Sequence, residues 1–295
     1  MRKWCLFLSL YFCACLLAAC AGSGVSAGGE PAPGGTPSEE PQTGGETAES
    51  GQVTETFRLV TVGDSDNPAS VLAKADGAAG DVYTLDIFSV EDLTIQGYTQ
   101  EQMELLDWSP RAGALVEVTW DGTVMESYPA QFGEVDSVRI LETGFDDLCR
   151  LYLDVLNDLW EVDPGLNDGI TELGVDLSET SLPASERSAV AYAFGMDHGL
   201  MPMEGTYQEL VDQGYIDGEN LFWEDGCLFS IQETQAEDPV VFSLPSLGPG
   251  DEMPGYNGVR FDAEKWRSGT GAYCFSDCTA VSTDGQWGDY PVGAE

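Results

Sequence analysis

The chain has 295 residues, of which 42% are hydrophobic, so it is long enough to bury one or two cores. Asp and Glu number 52 against 11 Lys and Arg, for a formal net charge of −41. This charge excludes a conventional nucleic-acid binder, because phosphates are bound by clustered Lys and Arg. It also argues against electrostatic adhesion to anionic lipid headgroups, and the single histidine excludes zinc sites built on several imidazoles.

The first twenty residues have the pattern of an export signal. Two basic residues precede an apolar run over residues 4–19, which is short for a membrane span and typical of a signal sequence. The run ends in Leu17, Ala18, Ala19 and Cys20. These residues resemble the lipobox of bacterial lipoproteins. The resemblance implies that the signal peptide 1–19 is cleaved and that acyl chains on Cys20 anchor the chain to the bacterial cell membrane, on its extracytoplasmic side. An ordinary secretory signal with an incidental cysteine is the alternative.

Residues 20–52 predict a disordered tether. They are rich in Gly, Pro, Ser, Thr and Glu, and Val25 is their one large apolar residue, so they cannot bury enough surface to offset chain entropy. A flexible coil of this length spans about 30 Å. Residues 24–28 match the G-x-S-x-G nucleophile motif, but that motif needs a strand before it and a helix after it. We therefore assign no catalytic role to this serine.

Residues 53–142 predict a small β domain. Residues 56–62 alternate like a strand, short apolar runs follow at 70–73 and 82–88, and residues 99–107 favour one short helix. Asp121 and Gly122 between residues 114–120 and 123–128 predict a type I′ hairpin, and residues 135–141 predict a last strand. About six short strands and one helix favour a small β-barrel of the OB type.

The stretch from Gly113 to Gln131 resembles a family of uncharacterised exported β-barrel domains of bacterial lipoproteins. Taken over residues 54–142, this resemblance implies an OB-like barrel. It brings no catalytic residues, because the family has no established activity.

Residues 143–295 predict an α+β domain with a long helix packed on an antiparallel sheet. The helix is predicted to end near residues 163–165. It is indicated by apolar residues spaced three and four apart, which are Phe145, Leu148, Cys149, Tyr152, Val155, Leu156 and Leu159. Further predictions are a strand at 170–177, a helix at 185–198, a capping box at Thr206 and Glu209, and a hairpin at Asp225 and Gly226. Strands follow at 240–244, 259–261 and 271–282, with a candidate mobile loop at 245–258. This order of elements suits a cystatin-like or NTF2-like domain.

Few residues could carry catalysis. His198 is the one histidine, and its position in the last turn of a predicted helix favours a partly protonated imidazole that complements the helix dipole. Four cysteines follow the anchor, and we expect them to be buried free thiols, although three disulfide pairings are open; they are Cys149, Cys227, Cys274 and Cys278. Within one strand Cys274 and Cys278 would lie about 13 Å apart, too far for a bond or a shared metal.

The remaining candidates concern ligands. Arg260, Lys265 and Arg267 lie within eight positions and could clamp an anionic group, or they could pair with neighbouring acids. The acidic stretches 64–67 and 163–169 fail the EF-hand register, so we predict no metal and no cofactor, with irregular calcium sites left open. The tryptophans, among them Trp160, Trp223, Trp266 and Trp287, are expected to pack in cores rather than stack on sugars.

Together these patterns predict a membrane-anchored extracytoplasmic lipoprotein that binds an extracellular ligand or an envelope protein without catalysing a reaction. No catalytic residue is assigned, and nucleic acid is excluded as a partner. The alternative is a carboxylate-dependent hydrolase acting on envelope or extracellular polymers, since 52 acids leave many pairs open.

Overall fold

The computed structural model of the chain describes residues 51–105, 108–234 and 256–291. The predicted signal peptide, Cys20, nearly all of the tether and the strand predicted at 240–244 lie outside these residues. So does the loop predicted at 245–258, apart from its last three residues, which belong to a strand. All of the described residues fall in one unit of contacts, residues 48–295.

The first sheet has eight strands, most of them at the predicted places: β1 (Val53–Thr61), β2 (Ser70–Lys74), β3 (Val82–Leu85), β4 (Asp92–Ile95), β5 (Leu115–Trp120), β6 (Val124–Met125), β7 (Ala130–Phe132) and β8 (Val135–Ile140). Their spatial order is β4-β8-β5-β1-β2-β3-β7-β6. A 3-10 turn (Ile87–Ser89) and the helix α1 (Gln100–Glu104) lie between β3 and β5. A capping box formed by Thr99 and Gln102 begins α1.

The hairpin predicted at Asp121 and Gly122 is wrong. Both edges of β5 are already occupied, by β1 and by β8, so the returning segment has no free edge on β5. Asp121 instead accepts the amide of Thr123 on its own side chain (2.8 Å) and donates its backbone amide to Glu134 (3.0 Å). The chain thus turns away, and β6 pairs with β7.

Four aromatic rings fill the interior of this sheet. Phe57 lies at their centre, with its ring centroid 5.1 Å from that of Tyr83, 6.3 Å from that of Trp120 and 5.3 Å from that of Phe132. The alternation of buried and partly exposed residues along β5 follows from the two faces of a strand that is buried on one side.

Three further helices follow: α2 (Leu148–Glu161), α3 (Ala184–Asp197) and α4 (Tyr207–Asp212). The predicted apolar face of α2 is buried from Leu148 to Leu159, but Phe145, predicted on the same face, lies before the helix begins. The helix ends before Asp163, which adopts φ +40° and precedes Pro164. Helix α3 ends where Gly199 takes φ +70°. The capping box of Thr206 and Glu209 that begins α4 is confirmed.

The second sheet has six strands: β9 (Glu172–Asp176), β10 (Pro202–Glu204), β11 (Gly226–Glu233), β12 (Tyr256–Ser268), β13 (Gly271–Thr283) and β14 (Gln286–Trp287). Their order is β10-β9-β11-β12-β13-β14. The prediction of an antiparallel sheet holds for β11 to β14 only, since β9 pairs in parallel with both β10 and β11. The chain passes through α3 between β9 and β10, and this crossover lets β10 run parallel to β9. With two sheets and four helices among the described residues, the prediction of an α+β fold is confirmed.

The hairpin predicted at Asp225 and Gly226 is also wrong. Residues 221–224 form no strand; Phe222 makes only isolated bridges, to Asp217 and Ser268. Gly226 begins β11 and packs against the indole of Trp223, which a β-carbon at position 226 would overlap. Glycine is present here because the ring approaches the backbone, and not because a turn needs positive φ.

The two sheets share one core through α2 and α3. Val60, Val71, Ala73 and Val82 of the first sheet belong to the same buried cluster as both helices and the inner faces of β9, β11, β12 and β13. Polar contacts follow the same route: Ser185 of α3 donates to the carbonyl of Lys74 (2.7 Å). Residues 53–142 and 143–295 therefore bury a common apolar interior.

Candidate functional site

A polar cleft of about 780 Å³ lies where β11 and β12 reach the end of the second sheet. Residues 178–181, 232–234 and 258–260 line it. These residues come from the loop after β9, the end of β11 and the start of β12, and only Gly258 and Val259 among them lack a polar side chain. We call this the polar cleft. Residues 235–255, which connect β11 to β12, lie outside the described residues.

Glu233 is the most organised side chain of the polar cleft. Its Oε1 accepts hydrogen bonds from the hydroxyl of Tyr152 (2.6 Å), the backbone amide of Ser181 (2.7 Å) and the hydroxyl of Ser181 (2.8 Å). Burial, followed by the hydrogen bond to Glu233, raises the pKa of the Tyr152 hydroxyl. Tyr152 therefore keeps its proton and donates the hydrogen bond to the carboxylate of Glu233. The hydrogen bonds that Glu233 accepts from described residues all fall on Oε1.

Local hydrogen bonds shape the loop that presents Ser181. The side chain of Asp176 accepts the amide (3.0 Å) and the hydroxyl (2.7 Å) of Ser178, and Thr180 donates its hydroxyl to the carbonyl of Leu177 (2.7 Å). The amide of Glu233 donates to the carbonyl of Glu179 (3.0 Å), which joins the loop to β11. Side chains of this kind favour turns over regular structure, and here they hold Ser181 beside the carboxylate.

Arg260 is the one cationic residue among those that line the polar cleft. Its backbone carbonyl accepts the amide of Thr234 (2.8 Å), which places the two residues across from each other on β12 and the end of β11. Its side chain is exposed and has no hydrogen bond or ion pair with any described residue. The cleft therefore offers a guanidinium and two carboxylates, those of Glu179 and Glu233.

The structure does not bring Lys265 and Arg267 to the polar cleft. Lys265 is fully buried, and its ammonium donates to the carbonyls of Trp160 (3.3 Å) and Val162 and to Oδ1 of Asn167 (2.7 Å). Burial lowers its pKa. Arg267 donates to three backbone carbonyls, those of Leu166 (3.1 Å), Asp168 (3.1 Å) and Glu224 (2.9 Å). Both side chains hold the end of α2 and the loop after it, so of the predicted trio only Arg260 lines the polar cleft.

His198 packs against two aromatic side chains, those of Trp160 and Phe194. Its ring stacks on Trp160 with centroids 3.8 Å apart, and its Nε2 is 2.8 Å from Oδ1 of Asn157. Burial lowers the pKa of His198 against the opposing charges of Asp197 and Glu161. The lowered pKa favours the neutral imidazole, whereas the sequence predicts a partly protonated ring that complements the helix dipole.

The four cysteines beyond the predicted anchor are all free, as expected, but the prediction that they are buried is wrong for Cys274, which is exposed. Cys274 and Cys278 lie on one strand, β13, as predicted, but Asp277 between them adopts φ +53° at an irregularity in the pairing with β12. This bulge leaves Cys274 exposed and Cys278 buried. Burial raises the pKa of Cys227 to about 12 and that of Cys278 to about 11, so these thiols are poor nucleophiles.

A second groove, which we call the α2 groove, runs along the exposed side of α2 with a volume of about 710 Å³. Its acids are Asp154, Asp158, Glu161 and Asp289. Burial raises the pKa of Asp154, although Arg150 donates to its Oδ2 at 2.6 Å.

In the described part of the chain no three His, Cys, Asp or Glu side chains are grouped so that they could hold a metal ion. The tryptophans pack as expected, with Trp223 and Trp287 buried and Trp160 and Trp266 packed against core clusters.

Sequence reasoning missed Glu233, Tyr152 and Ser181. The run Gln232, Glu233 and Thr234 ends a strand whose other residues are nearly all buried, and that shift to polar residues was the available signal. Nothing in the sequence links Glu233 to Tyr152, which is 81 positions away.

The chain matches no family model, no curated protein and no solved structure. Of the helices in the described ranges, none has the length and apolar character needed to cross a membrane.

Proposed function

We propose that this chain is a lipid-anchored extracytoplasmic protein that binds a ligand in the polar cleft without catalysing a reaction. The observation that carries the proposal is Glu233, which lines the cleft and whose carboxylate is fixed by three hydrogen bonds to Oε1. A fixed acceptor lowers the entropy lost on binding. The volume of about 780 Å³ lies in the range of small-molecule sites.

The charges of the polar cleft favour a short peptide with free ends. Glu233 suits an ammonium group, and Arg260 suits a carboxylate, which a guanidinium can bind through two parallel hydrogen bonds. The hydroxyls of Ser178, Thr180 and Ser181 supply neutral partners for peptide groups between the two ends. A purely anionic ligand is disfavoured, because the net charge of −41 opposes its approach.

The anchor rests on the lipobox-like residues that end in Cys20. Two acyl chains hold a protein on a membrane far better than one, so a lipid-modified Cys20 keeps the binding module close to the bilayer. We expect fatty-acid label and membrane retention in the wild type, and neither in Cys20→Ala. A labelled and membrane-bound Cys20→Ala protein would contradict the anchor and leave the cleft unaffected.

We also propose that residues 53–142 form a small closed barrel of the OB type. Strand pairing supports this proposal. β3 pairs in parallel with β7, and β8 follows β7 after a break of two residues. β8 then pairs with β5, and β5 pairs with β1. In the order β8-β5-β1-β2-β3-β7, the first and last strands thus follow each other closely in the chain, as closure into a barrel would require. The parallel strands β9, β10 and β11 give no support to a cystatin-like or NTF2-like second half.

A carboxylate-dependent hydrolase is the second candidate, and the raised pKa of Asp154 is the observation that favours it. An acid of this kind can donate a proton to a leaving group, and Asp158 lies one helical turn away in the same groove. Hydrolysis of wall glycan or peptide that is lost in Asp154→Asn would establish this candidate. Absence of turnover in the full chain removes it.

A thermal-shift screen of the full chain tests the binding proposal. The panel holds trialanine, single amino acids, neutral sugars and calcium. A ligand at 100 times its dissociation constant adds about 2.7 kcal/mol of stability. We expect trialanine to raise the melting temperature, and Glu233→Gln to remove the shift, because an amide still accepts from Tyr152 but carries no charge for an ammonium. The control Glu91→Gln alters an exposed carboxylate outside the cleft. No shift with trialanine, or an equal shift in both variants, contradicts the proposal.

A further inference from the structure

A separate pocket of about 350 Å³ lies between the end of α4 and the start of β11. Two aromatic side chains in its lining are exposed to solvent, Tyr215 at 40% and Phe222 at 42%. We call it the aromatic pocket. Beneath these rings, Ile216 and Trp223 are almost fully buried in a small core with Leu210 and Leu228. The pocket thus has a packed base and two open rings.

The loop that carries Phe222 is rigidly built. Asp217 accepts the amides of Glu219 and Asn220 on Oδ1 (3.0 Å each) and the side-chain amide of Asn220 on Oδ2 (2.6 Å). The backbones of Asp217 and Phe222 exchange hydrogen bonds of 2.9 and 3.2 Å. Leu221 adopts φ +51°, an unfavourable conformation for a bulky residue, and so Phe222 is presented at some conformational cost.

Carboxylates surround the two rings, and no cationic residue lines the aromatic pocket. Glu172 receives the indole N–H of Trp223 on Oε2 (2.7 Å), which fixes its orientation. Glu224 and Asp225 are exposed at the same pocket. This arrangement places two partly exposed rings next to strong hydrogen-bond acceptors, and it repels anions.

We propose that the aromatic pocket binds a neutral carbohydrate. The C–H face of a pyranose ring is apolar and can lie on an exposed aromatic ring, while its hydroxyls are donors for carboxylate oxygens. Tyr215 and Phe222 supply the stacking surface, and Glu172 and Asp225 accept the hydroxyls. The volume suits one or two sugar units at the low end of the range of ligand pockets. This site shares no lining residue with the polar cleft and does not depend on the function proposed for that cleft.

Titration of the full chain with chitotetraose and cellotetraose, followed by tryptophan fluorescence, tests the proposal. Trp223 lies under the pocket, with its ring centroid 6.4 Å from that of Tyr215, so occupancy should change the emission. We expect saturable binding of at least one oligomer and a loss of affinity of about tenfold in Tyr215→Ala and in Phe222→Ala. Tyr215→Phe keeps a ring and should bind like the wild type.

Tyr273→Ala is the matched control, because Tyr273 is 39% exposed on β13 and does not line the pocket. We expect it to bind normally, as should Glu233→Gln in the polar cleft. Calorimetry on the same samples detects binding that leaves the emission unchanged. The proposal is overturned if neither oligomer binds by either method, or if Tyr215→Ala and Phe222→Ala both bind as tightly as Tyr273→Ala.

Discussion

Lys265 is a cation that the fold buries completely, and its hydrogen-bond partners explain why it cannot reach a ligand. Three acceptors from α2 and the following turn satisfy its ammonium, two of them carbonyls at the end of α2. Helix ends leave such carbonyls unpaired, and a cation there is favourable. Spacing in the sequence placed Lys265 beside Arg260, but the alternation of β12 and its partners decides which of them faces solvent.

We expect Lys265→Met to lower the free energy of unfolding by about 1–3 kcal/mol, since buried carbonyls and Asn167 lose their donor. The matched control is Lys74→Met, which removes a partly exposed ion pair with Glu55 and should cost less than about 1 kcal/mol. Urea denaturation measures both. Equal losses in the free energy of unfolding would show that the buried contacts of Lys265 stabilise the fold no more than the partly exposed ion pair of Lys74.

His198 gives a prediction about pH. Its pKa is below the ordinary value of 6.5, so between that value and its folded pKa the unfolded chain binds more protons than the folded chain. Stability supplied by the neutral ring is therefore complete above pH 6.5 and falls as the pH drops through this window. Because the chain has one histidine, His198→Phe removes the effect and keeps a ring on Trp160.

Urea unfolding at several pH values on either side of 6.5 tests this. We expect the wild type to lose stability relative to His198→Phe as the pH falls. A constant difference between the two proteins, or a difference that changes in the opposite direction, would contradict the assignment.

At the scale of elements, the sequence predicted helices better than strand partners. The apolar face of α2, the end of α3 at Gly199 and the capping box of α4 are local signals, and each is found in the structure. Both predicted hairpins failed, because an Asp-Gly pair is a local signal whereas strand pairing is decided by which sheet edges are free. The parallel pairing of β9 depends on chain connections that periodicity does not report.

Gly226 tests this explanation. Gly226→Ala places a β-carbon against the ring of Trp223, and we expect a loss of about 1–3 kcal/mol in the free energy of unfolding. Gly165→Ala is the control, since its nearest neighbour is a flexible side-chain oxygen 3.8 Å away, and it should change stability by less than about 0.5 kcal/mol. A tolerated Gly226→Ala would mean that the ring does not require glycine there.

At the scale of the whole molecule, the two sheets are joined by polar as well as apolar contacts. Arg58 on β1 contacts Glu186 on α3 (3.3 Å) and donates to the carbonyls of Gly113 (2.8 Å) and Gly144 (2.5 Å). Such long-range contacts are absent from any local pattern. The same limit applies to the polar cleft, where α2, the loop after β9 and the end of β11 meet at Glu233.

Calorimetric titration of the full chain with trialanine and with trialanine amide tests whether the polar cleft binds a peptide with free ends. We expect saturable binding of trialanine, weaker binding of the amide, and a loss of about tenfold in affinity for trialanine in Arg260→Gln. Arg139→Gln, which alters a half-exposed arginine paired with Glu117 on the first sheet, should bind as the wild type does. No binding of trialanine, or equal affinity for both peptides in the wild type and in Arg260→Gln, would contradict recognition of a free peptide carboxylate by the polar cleft.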